Sequence, residues 1–253
     1  MSAPRRLTSA ILLLALAGCA PVTAPPAPPV TDEARRALAL LTERWQAFTD
    51  LRALADVRLE RGGQRHRLQG VLLAQAPGSV RFEALSPFGQ PLLAVVIHGG
   101  ELTAYDAVAN EAVVAPATAD TVERLLGLPL APTLLVGVLA GRAVPPAELR
   151  EARVLPADEH GPSLELVGAD QRQRVWMDFA TGVVTRVEIA GGRRVVQVAY
   201  RRDPAAMLEG FDFAVAGGVA GTVRYRDPVA DGGIDPERFR LEVPERARVR
   251  RLR

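Results

Sequence analysis

Residues 81–106 read RFEALSPFGQPLLAVVIHGGELTAYD, and the fold is decided there. Three apolar-rich runs, Ser79 to Leu85, Leu92 to Ile97 and Leu102 to Tyr105, have the length of strands rather than helices. Two turn signals separate them. Ser86-Pro87-Phe88-Gly89 carries proline and glycine where a tight turn wants them, and Gly99-Gly100 is a hairpin signal between Ile97 and Leu102.

The same pattern extends outward. Upstream, Val57 and Leu59 alternate with Asp56, Arg58 and Glu60, Arg61-Gly62-Gly63-Gln64 marks a turn, and a second strand follows through Leu68, Gly70 and Leu72. Ala112 to Ala115 adds a strand downstream. Before these strands, Thr31 is an N-cap with Asp32 and Glu33 in the first turn, and Leu38, Leu41, Trp45 and Phe48 recur at helical spacing. After them, Thr121 or Asp120 can cap a short helix that Gly127 stops. A second begins at Pro132 and carries Leu134, Leu135, Val138 and Leu139. The segment LLGLPLAPTLLVGVLAG, residues 125–141, is apolar on nearly every face, so it must be covered or must itself cover something apolar. Strands resume through Leu164 and Leu166, Val175 to Phe179, Val183 to Ile189 and Val195 to Tyr200, with Phe239, Leu241 and Val243 closing the pattern. A mainly β (α+β) domain follows, with about ten antiparallel strands in one curved sheet that has one wet face.

The N-terminus carries a different message. Arg5 and Arg6 precede the short apolar run Ile11 to Ala17, and Leu16-Ala17-Gly18-Cys19 resembles the lipobox of bacterial lipoproteins. That resemblance implies removal of a signal peptide, 1–18, and acylation of Cys19, hence attachment to a membrane from outside the cytoplasm. Residues 19–30 add a proline-rich tether in extended polyproline form. The folded domain then spans 31–245, and 246–253 form a basic tail with arginines at 246, 248, 250, 251 and 253. This tail reads first as a solvated end and second as a weak grip on anionic head groups. Ala20 lacks the aspartate that holds many lipoproteins in the inner membrane, which points to the periplasmic face of the outer one. Cys19 is the only cysteine, so acylation leaves neither a disulfide nor a thiolate.

Composition narrows the chemistry. All 31 basic residues are arginine, but the formal net charge is only +2, so no nucleic-acid partner is expected. His66, His98 and His160 lie far apart without ligand-spaced partners, which predicts no metal site and no cofactor. Beyond the signal the serines are Ser79, Ser86 and Ser163, none in a nucleophile elbow. No catalytic residue stands out, and the chain is expected not to be an enzyme. A hydrolase would need His66 or His98 brought to the acids.

The stretch 81–106, followed by VERLLGLPLAPTLLVGVLAGR at 122–142, resembles outer-membrane lipoprotein receptors of the LolB type in the LolA/LolB-like superfamily. Ser86-Pro87-Phe88-Gly89 and Gly127-Leu128-Pro129-Leu130 carry the likeness in order behind the lipobox. The resemblance implies an incomplete antiparallel barrel of about eleven strands, lidded by helices over an apolar cavity. It also implies acylated lipoproteins or other lipids as cargo and a periplasmic carrier of the LolA type as partner. The cavity would be lined by Leu72, Phe82, Leu92, Val95, Leu125, Leu134, Leu135 and Val138. The loop Ser86, Pro87, Phe88 and Gly89 would face the membrane. Enclosing an acyl chain suits a protein without an active site, since each methylene removed from water contributes about 0.8 kcal/mol. The alternative is a structural or assembly lipoprotein that uses the same fold as a docking surface, with a filled core.

Overall fold

The computed structural model describes residues 30–191 and 194–252. The signal peptide, Cys19 and the tether through residue 29 lie outside the described residues. The chain opens with helix α1 (Asp32–Gln46), capped by Thr31, whose Oγ1 accepts from the Ala34 N–H at 3.2 Å. Six strands follow as a meander: β1 (Asp50–Arg61), β2 (Gln64–Gln75), β3 (Ser79–Leu85), β4 (Pro91–His98), β5 (Glu101–Asp106) and β6 (Glu111–Pro116). Helices α2 (Ala119–Leu126) and α3 (Pro132–Leu139) interrupt it. A second meander comprises β7 (Leu149–Asp158), β8 (Gly161–Gly168), β9 (Gln171–Met177), β10 (Val184–Gly191), β11 (Arg194–Arg202), β12 (Leu208–Val215) and β13 (Ala220–Ala230). The short strand β14 (Arg248–Arg251) ends the fold.

The two meanders join where β1 pairs with β13, giving one 14-stranded sheet with β7 at one edge and β14 beside β6 at the other. All pairs are antiparallel except β14 on β6, which is parallel. The edges do not pair with each other, so the sheet is an incomplete barrel. Two cross-strand rows show which face is inward. Leu51, Ala74, Val80, Ile97, Leu102 and Ala115 stand opposite one another across β1 to β6, and all are buried. Leu164, Val175, Val187, Val198 and Phe213 form the matching row across β8 to β12. The outward face of the second meander alternates charge instead. Glu165 stands opposite Arg174, which stands opposite Glu188, so opposite charges face each other across the strands.

The expected strand number was low. The alternation of β7, β12 and β13 is broken in the sequence by Pro156, Gly210, Gly221 and Pro228, and β14 has the composition of a tail. The arginine-rich end therefore pairs along β6 as an edge strand of the sheet, with its side chains exposed. The expected strand through Phe239, Leu241 and Val243 is instead a single 3-10 turn, Pro236–Phe239, and the chain after it. Phe239 is buried against Leu73 and Val96 on the outer face, with Ile234 and Leu241 beside it. Arg81 fixes this segment by donating to the carbonyls of Arg238 and Arg240 at 2.6 and 2.7 Å.

Gly70 marks the tightest approach in the sheet. A Cβ there would sit 1.8 Å from the Glu83 carbonyl oxygen on β3. Gly70→Ala is expected to force β2 and β3 apart beside the Phe88 loop and to cost roughly 2 kcal/mol or more, measurable as a lowered urea midpoint.

Candidate functional site

Between β6 and β7 the chain must return from one edge of the open sheet to the other, and it does so across the concave face as α2 and α3. Thr118, not Thr121 or Asp120, caps α2: its Oγ1 accepts from the Thr121 N–H at 3.2 Å. Gly127 ends the helix in the left-handed region with φ 79°. In α3 Leu135, Val136, Val138 and Leu139 are all buried, and Leu130 in the connection is wholly so. Tyr225 on β13 donates from its phenol to the Leu139 carbonyl at 2.9 Å and so ties the end of α3 to the sheet. Burial pushes that phenol's pKa well up, so it remains a donor. At the end of α2, Glu123 pairs with Arg194 of β11 at 3.0 Å, the two half exposed.

Most of the predicted lining residues meet beneath this lid. Leu72, Phe82 and Val95 stand directly opposite one another on β2, β3 and β4, on the inward face. Leu72, Leu135 and Val138 belong to one continuous buried cluster, with Phe82, Leu125 and Leu134 packed against it. Leu92 does not join them. It shares parity with Ala94 and Val96, whose face is the outer one, and is 37% exposed, so it is removed from the lining. The space between sheet and helices is occupied by Val122, Leu130 and Val136, none of them solvent-accessible. Three surface clefts among the described residues stand out, one of them about 500 Å³ between the outer face and residues 227–238. None of the three includes a predicted lining residue.

The loop from Ser86 to Gly89 has a definite shape. The Gly89 N–H donates to the Ser86 carbonyl at 2.9 Å, and the Ser86 hydroxyl accepts from the N–H groups of Phe88 and Gln90 at 3.3 and 3.1 Å. Gly89 has φ 77°, which closes the turn at little cost for glycine. This scaffold holds Phe88 clear of the sheet at 91% exposure. A second apolar tip adjoins it. Val108, in the turn between β5 and β6, is 80% exposed, and Asp106 holds that turn by accepting from the N–H groups of Val108 and Ala109. The turn is latched to β4 through Ala107, which donates to the Leu92 carbonyl at 3.0 Å. Val108 sits among the turn formers Asp106 and Asn110, where composition says only that the chain turns.

The histidines remain apart. His98 Nδ1 lies 3.0 Å from Ser79 Oγ, and its ring stacks on Phe239, but no described hydrogen bond or ion pair gives it a carboxylate. His160 packs edge-on to Trp176, and His66 is exposed near the tip of the β1–β2 hairpin. Among the described residues no group of three or more histidines, cysteines or acids is placed to hold a metal ion. No described helix is long and apolar enough to cross a membrane.

No family model matches the chain, and no curated protein matches it. Solved structures do resemble it. A putative outer membrane lipoprotein-sorting protein domain from Vibrio parahaemolyticus is 14% identical, with 82% of this chain and 94% of that one covered at a TM-score of 0.54. A LolA superfamily protein from Nitrosomonas europaea is 13% identical, with coverage of 81% and 97% and a TM-score of 0.52. A DUF1329 family protein from Desulfovibrio piger is 12% identical, with 84% and 97% covered at 0.53. At these identities the likeness is one of fold, an incomplete barrel of the LolA-like kind.

The exposure of Phe88 and the burial of Val95 make opposite demands on the same substitution. Phe88→Glu is expected to change stability by less than about 0.5 kcal/mol. Val95→Glu buries an unpaired carboxylate and is expected to unfold the domain. Thermal melting of the two variants separates them, and equal losses would place Phe88 in the core.

Proposed function

We infer that the chain is a membrane-anchored, non-catalytic lipoprotein of the cell envelope. It takes up an acyl chain of a lipoprotein, or another amphiphile, beneath its helical lid and releases it into the outer membrane. The observation that carries this reading is Phe88, an aromatic side chain held almost fully in solvent by a turn built to hold it there. Burying it in a bilayer contributes roughly 1.5–3 kcal/mol, enough to orient a protein that Cys19 already anchors. The apolar lid supports the cargo side of the reading, because α3 and its neighbours shield an inward face composed of aliphatic side chains. Two of the similar folds bear lipoprotein sorting or the LolA superfamily in their names. Delivery by a LolA-type periplasmic carrier, and kinship with the LolB-type receptors, belong to the same proposal.

An acyl chain enters only if the lid moves, since Val122, Leu130 and Val136 fill the space beneath it. That filled core favours a second reading, a structural or assembly lipoprotein that docks partners on the same fold. One experiment divides the two. The full chain carrying Cys19→Ser is mixed with a hydrophobic fluorescent dye, then with an acylated lipoprotein or its unacylated form. Uptake of the dye, and its displacement by the acylated form alone, is the expected outcome. No uptake, or equal displacement by both forms, selects the docking reading. Glu123→Ala is expected to leave stability within about 1 kcal/mol, because the pair it removes is half exposed. The same change should speed dye uptake by loosening α2.

A further inference from the structure

The register places three connections at one end of the first meander: the β1–β2 turn at Gly62 and Gly63, the Phe88 loop, and the β5–β6 turn at Val108. Measured from the row Ala53, Leu72, Phe82, Val95, Ala104 and Val113, each successive tip is shorter than the last. That is the stagger by which tilted strands bring their ends to a common barrel rim. The last strand, β14, reaches the same rim. β14 starts beside the Val108 turn, with the Arg248 N–H donating to the Asn110 carbonyl at 3.0 Å and the Asn110 amide donating to the Arg246 carbonyl at 3.1 Å.

The charged groups of this rim differ in their pairing. Three of its carboxylates are engaged within the protein: Glu60 pairs with Arg65 at 3.3 Å, Glu111 pairs with Arg248 at 2.7 Å, and Asp106 caps its own turn, whereas Glu245 beside Arg246 is exposed and takes part in no ion pair among the described residues. Arg61 and Arg246 are exposed, and neither takes part in an ion pair among the described residues. Free cations therefore flank two exposed apolar tips, one on each side.

We propose that this rim is a two-pronged docking surface for a bilayer bearing anionic head groups, with Val108 inserting beside Phe88 and with Arg61 and Arg246 reading the head-group charge. The proposal rests on the reading of Phe88 as a membrane contact and adds a second insertion point and a lipid preference. An arginine at an anionic surface contributes about 1 kcal/mol, or about five-fold in binding. The apolar prongs act regardless of lipid charge.

Flotation of the full chain carrying Cys19→Ser tests this with vesicles of phosphatidylcholine alone or with one third phosphatidylglycerol. Phosphatidylglycerol is expected to raise the bound fraction, and about 0.5 M salt to cancel the gain by screening. Arg61→Gln with Arg246→Gln should remove most of that gain, roughly twenty-fold in affinity, while binding to phosphatidylcholine persists. Val108→Asp should weaken binding to both vesicles, as Phe88→Glu should, with melting unchanged. Full binding by Val108→Asp overturns the second prong. A lipid preference that survives the double arginine change, or that never appears, overturns the charge reading; loss with Phe88→Glu would still leave the membrane contact standing. If the double change spares both vesicles but abolishes transfer from a periplasmic carrier, the rim is a protein-docking surface and the proposal fails.

Discussion

An apolar trough that does not close on itself is the constraint from which the rest of this structure follows. The inward row from Leu51 on β1 to Ala115 on β6 is hydrophobic throughout, and so is the row from Leu164 to Phe213. Closure of the sheet would have hidden these side chains from water, but β7 and β14 remain unpaired edges. The surface must be covered from within the chain, and the longest connection among the described residues is the crossover from β6 to β7. Its composition answers that demand. A helix such as α3, apolar on all sides, is tolerable only where both sheet and flanking loops shield it. Gly137 lets Val144 approach so closely that a Cβ there would lie 2.4 Å from its methyl. Helix α1 caps the other half of the trough, with Ala34, Ala37 and Leu41 turned inward.

How far the sequence reveals this depends on how each strand is buried. Strands with one wet face, such as β1 and β10, alternate and are legible residue by residue. Strand β4 is covered on both faces, by the lid on one and by the Phe239 segment on the other, so Leu92 to Ile97 reads as an unbroken apolar run. Periodicity then cannot tell Leu92 from Leu93, which is why Leu92 was expected inside. The Phe239 segment was opaque for a related reason. Its apolar residues alternate like a strand while the backbone makes a 3-10 turn, and only the patch of Leu73 and Val96 beneath explains their spacing. The tail was opaque because pairing in β14 is made by backbone groups, to which the side chains of Arg248, Arg250 and Arg251 are indifferent.

The candidate site divides along the same line. Leu72, Phe82, Val95, Leu135 and Val138 were legible as inward residues because burial leaves a compositional trace. Phe88 and Val108 are set by turn geometry, and turn-forming residues report that a chain reverses without reporting where its apolar member points. Ser86 decides the matter for Phe88. Its hydroxyl accepts from two backbone N–H groups of the loop, and that bonding defines a conformation in which the ring has no surface to fold onto.

The lid and the rim are connected by position. Helix α2 starts from the far end of β6 and finishes against Val219, in the turn between β12 and β13, on the same side as Phe88. The Glu123–Arg194 pair that fastens it lies at that end too, whereas Tyr225 holds α3 from within. The fastening nearest the rim is thus the weaker one, an exposed ion pair worth about 1 kcal/mol or less, against a buried hydrogen bond whose loss leaves a carbonyl unsatisfied. On the proposed function, a lid so held would open first toward the rim. The apolar side chains that α2 and its connection remove from water are worth roughly 1.5–3 kcal/mol each, and a long acyl chain is worth about 10 kcal/mol by its methylenes. Under that proposal a guest would take the place of the lid at nearly constant apolar burial. Such an exchange needs neither an energy source nor a catalytic residue, only a membrane at the side where the lid opens.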